Sequence, residues 1–336
     1  MKNYSSRSIL QIFESCIIFK KAFSYKFITV KRSPLLLLPL ALVFSIRSFS
    51  QKSGPRIIEN VSYGMVSGTA LLMDIYVPEE PNHKAIIFIP GSAWGFVYPT
   101  NYDHTPLKDD ITLDSNYAGK WTKALVKNGY TVFVINHRFS PKFQYREIIE
   151  DCRRAVRYVR YHAREFSIDP SHIGAMGHSS GGNLASMLGV TDSIYSKSKS
   201  PIDSVSSKVQ AVVTMAAPFN LADINKAEDS TIDNNFVQSA IEAYVGQSPE
   251  TRSGEFVLSG PYITASPYAF VTKDDAPTLI YYSDNDPVIT VRQAIKMHEK
   301  LRENHVPVKI FVSPKTGHNP VPDMAEVNNW FEKYLK

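Results

Sequence analysis

The chain predicts an α/β protein: an open, mostly parallel, doubly wound sheet of about eight strands with helices on both faces. Three observations carry that expectation. Short apolar runs alternate with helical stretches from Ala85 to the end of the 336 residues. The runs at 85–89 and 130–135 are almost continuously apolar, as strands covered on both faces are. Residues 172–189, HIGAMGHSSGGNLASMLG, read as strand, sharp turn and helix.

In order along the chain, residues 57–65 and 71–77 read as two early strands around a turn at Gly68, closed by Pro78, Pro81 and Asn82. The strand at 85–89 ends at Pro90-Gly91. Residues 121–128 have helical spacing and are capped by Gly129, and the strand at 130–135 follows. Residues 144–166 form a long amphipathic helix, with Ile148, Cys152, Ala155, Val156, Val159 and Ala163 three or four apart. Arg153, Arg154, Arg157 and Arg160 lie mostly off that stripe and are expected on a solvated face, paired with Glu147, Glu150 and Asp151. Beyond the central strand, turn and helix come a Ser/Lys-rich loop (193–207), a strand (209–215) and a variable, cap-like section at about 217–270. A strand (278–282), a helix (288–304), a strand (306–312) and a last helix (322–334) complete the pattern.

The first fifty residues differ from the rest. They hold eight Lys/Arg and a single acid, Glu14, so the remaining 29 basic and 31 acidic residues leave the body slightly negative although the whole chain is +5. The body therefore carries no nucleic-acid signature. Lys31-Arg32, the apolar run at 35–44 and the small residues Ser48 and Ser50 make a secretory signal, because the run is shorter than the ~18–20 residues that span a bilayer. We therefore expect a leader at 1–50 and a single domain at 51–336, secreted or periplasmic, with no stable membrane insertion unless the leader stays uncleaved. Without the leader Cys152 is the sole cysteine, which excludes an internal disulfide.

Gly177-x-Ser179-x-Gly181 is the nucleophile-elbow pattern, in which a serine sits on a turn too tight for flanking side chains. Ser179 is the candidate nucleophile. The backbone N–H of Ser180, at a helix N-terminus, is placed to meet a developing oxyanion. Such a serine needs an acid and a histidine later in the chain. Asp284 and Asp286 leave the strand at 278–282, and either could instead cap the helix that follows. His318, beside Gly317 on a loop after the last strand, is free to swing over the nucleophile and is the candidate base. His178, next to Ser179, is expected to line the pocket or pack beneath the elbow. No histidines pair at metal-ligand spacing, so no metal is expected.

These segments resemble the α/β-hydrolase esterases and lipases, the group of hormone-sensitive-lipase-like carboxylesterases and bacterial acetyl-xylan and feruloyl esterases. The similarity covers about 73–334 and rests on ordered matches: IIFIPGSAWGF, VFVINHRFSP, IIEDCRRAVRYVR, IDPSHIGAMGHSSGGNLA, ASPYAFVTKDDAPTLIYYSDNDPV and KTGHN. It implies the α/β-hydrolase fold, a Ser179–His318–Asp286 triad with the acid just before Pro287-Val288, and no cofactor. The family's His-Gly-Gly-x-Trp turn stands here as Pro90-Gly91-Ser92-Ala93-Trp94. By the family's geometry, Ser92 or Ala93 would donate to the oxyanion with Ser180. Loss of one donor costs ~2.7–4 kcal/mol of transition-state stabilisation. Asn136-His137-Arg138, where the family commonly has Tyr before the Arg, is expected as a packing change. Trp94, His178 and Phe219 are candidates for substrate contact, and Phe96, Tyr98, Tyr102, Phe236, Tyr244 and Tyr262 offer further aromatic surface.

The expected function is a secreted serine carboxylesterase for small acyl esters, such as acetyl or feruloyl groups on carbohydrate. Two alternatives remain: an aryl-formamidase resembling kynurenine formamidase, which shares the elbow and the Gly-x-x-Trp turn, and a non-catalytic binding protein on the hydrolase scaffold.

Overall fold

The computed structural model describes residues 55–96, 117–191, 200–224, 234–248, 250–252, 255–257 and 260–336. The leader expected at 1–50 lies outside them, as do Tyr98 and Tyr102. Eight strands form one sheet in the order β1-β2-β4-β3-β5-β6-β9-β10. They are β1 (Arg56–Val66), β2 (Thr69–Val77), β3 (Ala85–Ile89), β4 (Thr131–Ile135), β5 (Ile173–His178), β6 (Ala211–Met215), β9 (Thr278–Ser283) and β10 (Val308–Ser313). β1 and β2 pair antiparallel, and β2 runs antiparallel to β4. Every other pairing is parallel. The short strands β7 (Glu250–Arg252) and β8 (Glu255–Val257) make a separate hairpin.

Strand alternation divides the core in two. Ile87, Ile89, Phe133 and Ile135 face a core shared with α2 (Tyr145–Tyr161), α3 (Ser180–Val190) and α6 (Val291–Glu303). Ile86, Phe88, Val132 and Val134 face α1 (Tyr117–Lys127) and α7 (Met324–Tyr334) on the other side. Because both strand faces are covered, the sequence shows continuous apolar runs instead of a polar–apolar alternation. The section between β6 and β9 supplies α4 (Asn234–Val245) and α5 (Gly260–Thr264), and both join the α2–α3–α6 side.

The arginine face of α2 departs from expectation. None of the four is exposed, and Arg157 is fully buried. The segment at 200–208 lies against two of them: Arg154 Nη1 meets Asp203 Oδ1 at 2.7 Å, and Arg160 donates to the carbonyls of Ser206 and Lys208. Arg157 and Arg153 do pair with Glu150. Asp151 instead accepts from the backbone N–H, Nε and Nη2 of Arg138 at 2.8–3.0 Å, a buried bidentate pair that ties the turn after β4 to α2.

Candidate active site

The three candidate triad residues sit on loops that leave β5, β9 and β10 at the carboxyl edge of the sheet, where open α/β sheets bind their ligands. Ser179 is the hinge between β5 and α3. Its φ of 52° is left-handed, a strain of about 1–3 kcal/mol for a residue with a side chain, and its N–H donates to Met215 at 2.8 Å. The pattern's glycines are sterically required. A Cβ on Gly177 would stand 2.2 Å from the Gly181 carbonyl oxygen, and one on Gly181 would stand 2.1 Å from that of Ile89.

His318 Nε2 lies 2.9 Å from Ser179 Oγ. Its Nδ1 lies 2.8 and 3.0 Å from the two oxygens of Asp286. That carboxylate is buried, and its Oδ1 also accepts the N–H groups of Val288 and Ile289 at 2.8 and 3.0 Å. α6 starts at Val291, three residues later than expected, after a turn in which Asp286 holds those two amides. The rival Asp284 points elsewhere: its Oδ1 accepts the N–H of Lys315 at 2.7 Å.

That contact belongs to a short ladder. Three consecutive side chains, Ser283, Asp284 and Asn285, accept from the backbone amides of Thr316, Lys315 and Gly317 at 3.0, 2.7 and 3.0 Å. The His318 loop is therefore pinned to the Asp286 loop, contrary to the freedom expected of a residue next to glycine. His178 adds a further tie, with its Nε2 2.8 Å from the carbonyl oxygen of His318. A carbonyl only accepts, so Nε2 carries the proton. Burial, with the nearby His318 adding to it, pushes the His178 pKa down to about 3 and keeps the ring neutral.

The oxyanion turn is rebuilt relative to a glycine-rich one. Ser92 has an ordinary negative φ (−152°), whereas Ala93 and Trp94 take left-handed φ of 49° and 56°. Ser92 N–H, one of the expected donors, is turned to the Ser180 hydroxyl at 3.0 Å and so is not aimed at a substrate. Ala93 and Ser180 each open a helical turn, so neither N–H has an acceptor within its own turn. These two remain as the candidate oxyanion donors.

A cleft of about 350 Å³ opens on Ser179, and its lining is mainly apolar. The oxyanion turn and Phe96 bound one side, Val288 and Ile289 another, and α4 contributes Phe236, Val237, Ala240 and Ile241. His178 and Trp94 line it as expected. Trp94 is mostly buried, stacked on Tyr244 with ring centroids 4.3 Å apart. Phe219 is corrected: it is fully buried beside Tyr282 and does not line the cleft, because its N–H is held by Gln293 Oε1. Tyr262 is likewise buried, its hydroxyl donating to the Gln247 carbonyl. Val237, Ala240, Ile241, Val288 and Ile289 were not singled out from sequence. The apolar spacing 237, 240, 241, 244 is the signal that could have found α4, but only the fold shows which space it faces.

The chain is similar to several known proteins. Residues 73–301 match the model of the BD-FAE family. The chain is 27% identical over 264 residues to the probable carboxylic ester hydrolase LipM of Mycobacterium tuberculosis, over 77% of this chain and 55% of that protein. It spans little more than half the length of LipM and of the esterases LipC and LipQ of the same organism. A solved truncated form of a carbohydrate esterase from gut microbiota is 27% identical with a TM-score of 0.67, over 85% of this chain and 98% of that one. A bifunctional GH43-CE protein of Bacteroides eggerthii is 25% identical with a TM-score of 0.64, over 82% of this chain and 38% of that one. The family match runs from β2 into α6 and takes in the oxyanion turn, the elbow and Asp286, and the chain therefore belongs to the BD-FAE family of α/β-hydrolases.

Proposed function

We propose that the protein is a serine carboxylesterase that removes small acyl groups, acetyl above all, from carbohydrate. One observation carries the reaction type: a continuous Ser179–His318–Asp286 hydrogen-bond chain at 2.9 and 2.8 Å, opening on an apolar cleft. Ser179 Oγ attacks the ester carbonyl as His318 Nε2 takes its proton, and Asp286 holds Nδ1–H and compensates the imidazolium. The N–H groups of Ala93 and Ser180 receive the oxyanion. His318 returns the proton to the departing alcohol, and water then clears the acyl-enzyme by the same steps.

The small acyl group is supported by cleft size. About 350 Å³ lies at the low end of small-molecule pockets, with α4 as one wall. The carbohydrate alcohol is supported by the carbohydrate esterase among the structural relatives. Export is part of the proposal and rests on the sequence of residues 1–50; N-terminal sequencing of the protein recovered outside the cytoplasm should begin at Gln51.

The decisive experiment is intact mass after fluorophosphonate treatment, beside a Ser179→Ala control, followed by p-nitrophenyl esters of increasing chain length and acetylated xylan. One adduct absent from the control, acetate turned over faster than octanoate, and acetate released from xylan are expected. A folded protein that takes no adduct refutes the hydrolase reading. An adduct with turnover of N-formylkynurenine but not of esters replaces it with the formamidase reading.

A further inference from the structure

Ala93 presents one of the two candidate oxyanion donors from a turn that a glycine-rich sequence would adopt freely and this one does not. Its own φ and that of Trp94 are left-handed, so other contacts must hold the turn. Those contacts come from one face of one helix. Ser180 and Asn183 stand three residues apart on α3, and residues at that spacing point the same way. Ser180 Oγ accepts the backbone N–H of Ser92 at 3.0 Å, and Asn183 Oδ1 accepts the indole Nε1–H of Trp94 at 3.3 Å. Ala93 lies between the two gripped residues.

We propose that Ser180, through its side chain, and Asn183 are positioning residues that clamp the oxyanion turn from both sides of Ala93. Both are buried, so solvent offers no substitute partner. Asn183 is itself fixed, its Nδ2 donating to the Pro218 carbonyl at 3.0 Å. The same Oδ1 receives the hydroxyl of Tyr244 at 3.4 Å, and Tyr244 stacks on Trp94 with ring planes 10° apart. Tyr244 belongs to α4, so the helix that walls the acyl cleft and the turn that receives the oxyanion share one anchor. The clamp also accounts for the use of Ser92 N–H: that donor is given up to hold Ala93 N–H in place.

The kinetic part of this inference rests on the esterase reading, and the spectroscopic part does not. Ser180→Ala and Asn183→Leu remove the two acceptors, whereas Ser180→Thr keeps a hydroxyl oxygen at the first. By NMR, S180A should speed hydrogen exchange at the Ser92 amide about tenfold or more. N183L should shift the Trp94 indole N–H, one of only three indoles in the chain. With p-nitrophenyl acetate, each should lower kcat about tenfold and leave KM within twofold, and the pair together should approach the 10²–10³-fold loss of one oxyanion donor. S180T should recover most of kcat. Thermal melts identify any variant that has failed to fold, and where N183L fails the Ser180 variants carry the test. Unchanged exchange and indole signals, or released signals with kcat within twofold of wild type, overturn the clamp. A wild-type protein that hydrolyses no ester sinks the functional reading while the NMR arm still decides the clamp.

Discussion

Replacing Asp286 by Asn should lower kcat about 10⁴-fold, roughly 5.4 kcal/mol of transition-state stabilisation, while leaving the fold nearly as stable as before. The separation follows from how the carboxylate is used. Oδ1 accepts the amides of Val288 and Ile289, and Oδ2 makes the shorter contact to His318 Nδ1. An asparagine can keep its oxygen at the Oδ1 position and satisfy both amides. Its NH₂ then faces Nδ1, which becomes an acceptor, so the neutral ring carries its proton on Nε2. A protonated Nε2 cannot accept the proton of Ser179. Asp286→Ala loses the same catalysis but also leaves two amides without an acceptor, at about 1–3 kcal/mol each, which should lower the melting temperature by several degrees. The assay is kcat for p-nitrophenyl acetate beside a thermal melt for both variants. An Asn variant keeping more than a tenth of wild-type kcat, or melting as early as the Ala variant, refutes this division of labour.

Two further outcomes are expected. Burial holds His137 and His178 neutral, with pKa values down to about 4 and about 3, against 6.5 in the unfolded chain. Between those limits the unfolded state binds more protons, so stability present above pH 6.5 is lost as pH falls; His137→Gln should flatten the fall in urea-unfolding free energy by about 3 kcal/mol at pH 4, and parallel curves would contradict it. On the cleft wall, Ala240→Phe adds a ring where α4 faces the cleft and should cut kcat/KM for butyrate about 10–100-fold relative to acetate, whereas an unchanged ratio would place the acyl chain elsewhere.

The parts of the site that could be read in the sequence are those where sterics leave one residue type. Gly177 and Gly181 tolerate no Cβ, so the elbow shows as a pattern around Ser179. The order of strands and helices was legible because both faces of the sheet are covered. What could not be read depends on partners distant in sequence. The arginines of α2 look like a solvated face until the segment at 200–208 is laid against two of them. Phe219 looks like a pocket residue until Gln293, 74 positions later, takes its amide. Ser92 looks like a donor until Ser180 receives it.

The separation of α4 from the triad strands has a consequence for how such a protein changes over time. The proposed nucleophile, acid and base hang from β5, β9 and β10, whereas α4 lies in the insertion between β6 and β9. Selection on what is hydrolysed can act on one stretch of chain, and selection on whether hydrolysis occurs can act on others. The exception is Tyr244, which shares the Asn183 oxygen with Trp94. A transplanted α4 that keeps this tyrosine should change the menu of esters and leave the chemistry intact, so grafting between relatives has a defined boundary condition at one side chain.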